Sequence, residues 1–364
     1  MVKFLYRFDL ILLVSVVLLL LLSLMVLYPI SYSGEKNQAE RSHFFKQIFF
    51  VISGALVLLF FSFIDYRSLK NHSALLFFIG FFILFLVLLF GKVVRGTTGW
   101  IGWGNFHIQP VEPFKIIAAV VLAKYFSLHS RSLGKYNHIL ISMVPVALSV
   151  FLIISQPDLG SALIIVFLWI VILALSGVSK KHLVILFVVG MLLSVIIWNF
   201  LLKDYQKERI TTLFNPFSDP LGAGYNAIQS TVAVGSGGFW GKGLGHGSQS
   251  QLNFLPEKHT DFIFAVISEE LGFGGALFVF ALLLVVIIRL VRIALNSRDN
   301  FGKLLVGGIA SVIFIQSLIN IGMNIGAMPV TGIPLPFLSY GGSALITMMA
   351  GIGIAQSVNR TGRG

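Results

Sequence analysis

Uninterrupted apolar runs restrict what this chain can fold into more than any motif in it does. The first, Leu10 to Ile30, has no charged residue in 21 positions. Runs of that length match the ~20 residues a helix needs to cross a hydrocarbon core about 30 Å thick. In lipid every backbone N–H and C=O must find its partner internally, which leaves helices or closed barrels, and runs this long and continuous read as helices. No small-residue cleavage site follows Ile30, so the first run is read as a retained helix and not a signal peptide. Composition agrees: 57% of the 364 residues are hydrophobic and 11% charged, against about 25% charged in soluble domains. The absence of cysteine removes disulfides and thiolate metal sites from consideration.

The expected fold class is therefore an all-α polytopic membrane protein. Ten spans can be drawn, at about 9–31, 44–64, 73–93, 110–127, 138–156, 159–177, 182–201, 262–294, 303–327 and 338–358, in a single transmembrane domain over 1–364. Alternate connections sort the charge. One side carries fifteen basic residues, among them Lys3, Arg67, Lys180, Arg289 and Arg360, against Asp9, Asp65 and Asp299, so it holds the whole net +12; the other side is neutral. The positive-inside rule puts both termini and the basic side in the cytoplasm. The basic excess then serves topology and anionic lipid, not nucleic acid.

That orientation leaves three stretches outside: 94–109, a large loop at about 202–260 between helices 7 and 8, and 328–337. The large loop is too long for a connector and rich in Gly, Ser, Asn and Pro, the profile of a functional loop. Within it YNAIQSTVA, from Tyr225 to Ala233, has the spacing of a short interfacial helix. The run GSGGFWGKGLGHG (235–247) superficially suggests a nucleotide phosphate loop. It fails the template, because Ser236 stands where the first Gly belongs and Gly243 follows Lys242 where Ser or Thr is required. Two readings remain: close packing of a flexible loop, or amides and Lys242 touching a non-nucleotide pyrophosphate.

Ionisable residues inside apolar sequence are costly and mark cavities or functional pairs. Glu112 and Lys115 in QPVEPFK lie three apart on one helical face, and read either as a structural ion pair or as cavity groups. Asp158 in SQPDLGSA reads as an N-cap for the sixth span or as a cavity residue. Arg95, Trp100 and Trp103 sit at the outer interface, where Trp is an ordinary anchor, and Arg209 in KERITTLFNP is either solvated or an anion contact. In PEKHTDFIFAVISEELGFGG (256–275), Thr260 or Asp261 would make a normal N-cap for the eighth span. Asp261 is alternatively a general base at the membrane surface. Glu269 and Glu270 follow deeper, as helix-to-helix supports. Finally, Pro329, Pro334 and Pro336 with Gly332, Gly341 and Gly342 force a break between the last spans, which is tolerated at membrane depth only under protein cover or in a water-filled cavity.

Taken together, the 235–275 sequence, PVTGIPLPFLSYGGS, QPDLGSA, DYQKERI and the QPxE start at Gln109 resemble the SEDS family (shape, elongation, division and sporulation) from the first span to the last. The short termini and the SQSQLNFLPEKHTDF wording resemble its elongation branch more than its division branch. The resemblance implies ten transmembrane helices and a peptidoglycan glycosyltransferase acting on lipid II at the outer face of the cytoplasmic membrane. It also implies a class B penicillin-binding protein as transpeptidase partner within the elongation machinery. Carried over by position, Asp261 falls on the family's catalytic aspartate, Trp100 on its sensitive tryptophan, and Glu112, Lys115 and Asp158 on polar positions of its central cavity. His259, Thr260 and Ser339, within the matching motifs, join Arg209 and Lys242 as expected substrate contacts. Val111 where a Ser is common, and Gly99 where a basic residue often precedes the Trp, are departures that weaken the case for the 94–109 loop as a phosphate holder.

On this resemblance an acceptor GlcNAc hydroxyl attacks the anomeric carbon of a lipid-pyrophosphate-linked MurNAc, with inversion. Such a step needs one base and neutralisation of the departing pyrophosphate, by Lys115, Arg209, Lys242 or a divalent cation, Mg²⁺ or Mn²⁺, on ligands the sequence does not name. Two other function classes fit the same polar residues: a lipid II flippase and a non-catalytic scaffold for the penicillin-binding protein. Clustering of the motifs on the outer side favours the enzyme over alternating access.

Overall fold

The structure, a computed structural model, describes residues 8–32, 38–94, 96–103, 106–129, 136–200, 204–222 and 224–362. Arg95 lies outside the described residues, as do Lys3, Arg7, Arg131, Lys135 and Arg363 of the charge count. The chain is nearly all helical: α1 Leu10–Tyr32, α2 Gln38–Phe63, α3 Arg67–Phe90, α4 Val111–Leu128, α5 Tyr136–Ser155, α6 Leu159–Leu175, α7 Lys180–Phe200, α8 Asp204–Phe214, α9 Tyr225–Ser236, α10 Ile263–Leu295, α11 Asn300–Asn324 and α12 Gly342–Gly362. Among the described residues seven of these, α1, α2, α3, α5, α7, α10 and α11, are long and apolar enough to cross a membrane by length and composition. The helices α4, α6 and α12 lie where the fourth, sixth and tenth spans are expected. They differ from the seven in physical ways: α4 buries Glu112 and Lys115, α6 has 17 residues, and α12 buries Gln356, Ser357 and Asn359.

The 94–109 stretch, expected as a loop, is mostly a three-stranded antiparallel meander of β1 Lys92–Val94, β2 Thr97–Trp103 and β3 Phe106–Ile108, with Lys92 opposite Trp100 and Ile101 opposite Ile108. Thr, Trp and Ile in β2 suit a pleated surface, and Gly96 takes the turn at φ +78°. The Thr98 N–H donates to the Gln156 carbonyl (3.3 Å), and the Gln156 amide donates to the Leu84 carbonyl (2.9 Å), so the meander is tied to α3 and to the α5–α6 turn. The large 202–260 loop contains α8 and α9, the latter covering the YNAIQSTVA segment.

Helix association in lipid gains nothing from excluding water and depends on close packing, small residues and hydrogen bonds. The α2–α12 seam shows this. A side chain at Gly353 would come within 2.4 Å of the Leu58 carbonyl, and one at Gly342 within 2.6 Å of the Phe50 ring. Polar ties gather at the helix ends expected in the cytoplasm. Buried Asp9 pairs with Arg289 (Nε to Oδ2, 2.9 Å) while Gln356 pairs with the Asp9 main chain in both directions. Ser357 Oγ accepts from Tyr66 N–H (3.2 Å), and Arg298 donates to the Gly362 carbonyl (3.1 Å). The opposite ends carry the motifs.

Candidate active site

Asp261 does not cap a helix. The residue at the N-cap of α10 is Phe262, without a side-chain cap bond, and Thr260 Oγ1 donates to the Glu257 carbonyl (3.2 Å) and carboxylate (3.1 Å). The capping role expected of Thr260 or Asp261 is thereby corrected. The reason is local: residues 257–262 form a tight turn in which the Glu257 carbonyl accepts the N–H groups of Thr260, Asp261 and Phe262 at 3.1, 3.2 and 3.4 Å. Glu257 takes φ +48° to start it, a left-handed conformation that costs a non-glycine residue about 1–3 kcal/mol and persists only where its surroundings enforce it.

Those surroundings come from two sides. From α11, Asn320 and Asn324 both donate side-chain N–H to the Asp261 carbonyl, at 2.9 and 3.1 Å. Four residues apart, they share a helical face. Asn324 Oδ1 also accepts from Ala265 N–H (3.1 Å) and Ser230 Oγ (3.2 Å), so one amide joins α9, α10 and α11. From the 328–341 break, Ser339 Oγ donates to the Thr260 carbonyl (2.6 Å) and accepts from Leu335 N–H (2.8 Å). Ser23 of α1 and Gln47 of α2 hold the same loop through the Leu338 and Ser339 carbonyls (2.6 and 3.4 Å). Phe337 at φ +67° is a second left-handed non-glycine residue. The Asp261 carboxylate faces the strand of loop at Gly332, where a Cβ would stand 3.5 Å from Oδ2. Asp261 is 8% exposed, which leaves a narrow approach.

The other expected site residues distribute around this loop. Asp158 does cap α6, accepting from Ser161 N–H (2.9 Å), and its second oxygen accepts from the Gln109 amide (3.2 Å). Gln109 N–H donates to Ser343 Oγ (3.0 Å). A Cβ at Gly160 would meet Ile333 at 2.9 Å, so the α6 start and the Asp261 turn flank the same 331–333 segment. Glu112 and Lys115 form an ion pair of 2.7 Å with both side chains buried, and Glu112 Oε2 has no hydrogen-bond partner among the described residues. Trp100 Nε1 donates to Thr97 Oγ1 (3.2 Å) within the meander. Arg209 lines a cavity of about 290 Å³ with Thr212, Ile325, Pro329 and Val330, on the segment that leads into Gly332. His259 stacks on His43, a contact the sequence did not suggest.

Lys242 is committed elsewhere. It pairs with Glu269 (2.8 Å) and donates to Ser248 Oγ (2.9 Å). Glu269, fully buried, also accepts the N–H groups of Gln249 and Ser250 (2.9 and 3.0 Å), while Glu270 accepts from Ser250 Oγ and Gln251 (3.2 and 3.1 Å). The two carboxylates thus tether the glycine-rich loop to α10, the support role expected of them. Gly272, at φ +68° inside α10, accepts the loop backbone: a Cβ there would lie 2.3 Å from Gly241 N.

Among the described residues no group of three or more His, Asp or Glu is placed to hold a metal. Asp261 contributes a single carboxylate. That donor set fits a cation that keeps most of its water and takes the rest of its ligands from phosphate oxygens, and does not fit an all-protein cage.

Asn320, Asn324 and Gln47 are site residues that the sequence reading did not single out. The two asparagines carried a legible signal, amides at i and i+4 in a buried helix.

The cell cycle protein family model that groups FtsW, RodA and SpoVE matches residues 9–364. The chain is 41% identical over 360 residues to stage V sporulation protein E of Bacillus subtilis, covering 98% of each, and 39% identical over 309 residues to peptidoglycan glycosyltransferase MrdB of Escherichia coli K12, covering 85% of this chain and 83% of that one. A solved chain described as showing structural coordination of polymerization and crosslinking by a peptidoglycan synthase complex superposes with a TM-score of 0.81 at 30% identity over 98% of both chains. An aspartate turn gripped by twin asparagines beneath a broken, proline-rich loop is thus built on a fold and sequence shared along the whole chain, which belongs to the SEDS family of FtsW, RodA and SpoVE.

Proposed function

We propose that this chain is a peptidoglycan glycosyltransferase that polymerises lipid II, with Asp261 as general base. The observation that carries the reading is the placement of Asp261. It is a nearly buried carboxylate at a helix mouth, one residue ahead of the N-cap Phe262 and held in a strained turn by Asn320, Asn324 and Ser339. Fixed geometry of this kind is what proton abstraction requires of a base.

Asp261 takes the proton from the acceptor GlcNAc hydroxyl as that oxygen bonds to the anomeric carbon of MurNAc. The bond from that carbon to the phosphate oxygen breaks, its electron pair leaves with the lipid pyrophosphate, and configuration inverts. No covalent enzyme intermediate is needed. The cation assigned to the pyrophosphate from within the chain is Arg209, because its cavity adjoins the loop over Asp261. Asp261 would be the residue to hold a divalent cation, Mg²⁺ or Mn²⁺, which would supply further neutralisation of the leaving group. Trp100 and Asp158 are further substrate contacts in this reading, and Thr260 and His259 support the Asp261 turn.

The ten long helices become ten spans in this account, with termini and the Asp9–Arg289 end in the cytoplasm and Asp261 at the outer face of the cytoplasmic membrane. A class B penicillin-binding protein is the proposed partner, in the elongation machinery by the sequence resemblance. The test is glycan polymerisation from lipid II in proteoliposomes, with lipid scrambling measured in parallel on the same vesicles. Polymer from the wild type and none from Asp261→Ala, with scrambling equal in both, is the expected result. Scrambling that depends on Asp261 without polymer would point to transport, and polymer that survives the substitution would remove the assignment.

A further inference from the structure

The far side of the Asp261 turn carries a contact that the reaction above does not use. His259 stacks on His43 of α2 with ring centroids 4.7 Å apart and planes 25° apart. Tyr340 sets its ring edge-on to both, 4.7 Å from His43 at 76° and 6.1 Å from His259 at 81°. The main chains are joined at the same place, where Tyr340 N–H donates to the His259 carbonyl (2.8 Å). One turn further along α2, Gln47 holds the Ser339 carbonyl (3.4 Å). The helix that presents His43 is itself seated on α12 through the close approaches at Gly342 and Gly353.

The turn is therefore gripped on two faces. On α11 the two asparagines hold the Asp261 carbonyl; on α2 an aromatic ring holds the side chain two residues earlier. A carbonyl gripped on one side can still pivot, and a carboxylate displaced by about 1 Å loses up to roughly a hundredfold in rate. Stacked rings fix orientation as well as distance. We propose that His43 is a positioning residue for the reaction: its ring fixes the plane of His259 and, through residues 259–261, the direction in which the Asp261 carboxylate leaves the turn. The inference rests on the reading of Asp261 as the base.

His43→Ala, His43→Leu and His43→Phe separate this role from others. In proteoliposomes with lipid II, the Ala and Leu variants are expected to lose roughly tenfold in kcat with KM within about twofold of wild type. The Phe variant, which restores a ring face without an imidazole, is expected within about twofold of wild-type kcat. Leu fills the volume, so it supplies the result if Ala does not yield folded protein. Wild-type kcat in the Leu variant, a Phe variant as slow as Leu, or a raised KM at unchanged kcat would each overturn the proposal. A second measurement needs no polymer: in detergent-solubilised protein the His259 ring protons are expected upfield through the ring current of His43, with the shift lost in Leu and kept in Phe. His259 signals indifferent to the Leu substitution would remove the stack itself. A wild type with the ring-current shift and no polymerising activity would instead remove the base assignment, and the positioning role with it.

Discussion

At the scale of single residues, the site rests on side chains that hold backbone rather than substrate. Asn324 shows how sharply that can be tested, because its amide donates to the Asp261 and Asn320 carbonyls while its oxygen serves Ala265 and Ser230. Asn324→Ala leaves the buried Ala265 N–H unpaired, at about 1–3 kcal/mol, and takes one of the two donors from the Asp261 carbonyl, so a fall in Tm together with a fall in kcat is expected. Asn324→Asp keeps the acceptor and loses the donor, so its kcat is expected to drop by roughly tenfold or more even where the protein remains folded. Wild-type kcat in folded Asn324→Asp would show that the grip on Asp261 is dispensable. Asp261 itself was legible as an ionisable residue at a helix mouth, but the residues alone left base and N-cap open. The turn that moves the N-cap to Phe262 starts at Glu257, and a left-handed φ on a glutamate leaves no mark in sequence. Asn320 and Asn324 were legible in spacing and went unread because Asn in a membrane helix is usually ordinary interhelical glue. His43 had no local signal, since its partner lies more than 200 positions away.

Elements tell a different story, because periodicity reports directly on them. The long helices fall where the apolar runs put them, and a short helix covers YNAIQSTVA as its spacing indicated. The meander at 92–108 was missed as regular structure because Gly-rich three-to-seven-residue strands give little period to read. The glycine-rich loop is the clearest case of an element whose purpose changed. Its Lys242 is bound to Glu269, and its backbone lies against Gly272. Gly272→Ala is expected to abolish folding or to lower Tm markedly, since the added methyl meets backbone at 2.3 Å and the φ is +68°. Glu269→Ala is expected to cost more stability than Lys242→Ala, as the Glu269 side chain is fully buried with four donors while the Lys242 side chain is 30% exposed. Glu269→Ala leaves the Gln249 and Ser250 N–H groups without their acceptor, at about 1–3 kcal/mol each, whereas the carboxylate left by Lys242→Ala keeps three of its four donors. Thermal melts in one detergent check the order. The reverse ranking, with a raised KM in Lys242→Ala, would return Lys242 to the substrate.

For the whole molecule, charge distribution in the sequence and polar pairing in the structure describe the same two ends. The Asp9–Arg289, Ser357–Tyr66 and Arg298–Gly362 ties join segments assigned to the basic side, and the Asp261, Asp158 and Glu269 networks join segments assigned to the neutral side. Because the chain has no cysteine, single Cys substitutions at exposed Leu221 and Asn296 give a clean topology test in sealed cells. A membrane-impermeant maleimide is expected to label position 221 from outside and position 296 only after lysis; the opposite pattern would invert the orientation. The fold class and the positions of the long helices were legible because lipid imposes rules on sequence as a whole. The site was legible only as a region, since what makes it a site is convergence of α1, α2, α11 and the 328–341 loop on one turn. The most direct measurement of the central claim is polymerisation of lipid II by purified wild type and Asp261→Asn, matched in Tm. The amide keeps the shape but cannot take the hydroxyl proton, so a loss of about 10²–10⁴-fold in kcat is expected, and glycan strands made by folded Asp261→Asn at the wild-type rate would contradict the account.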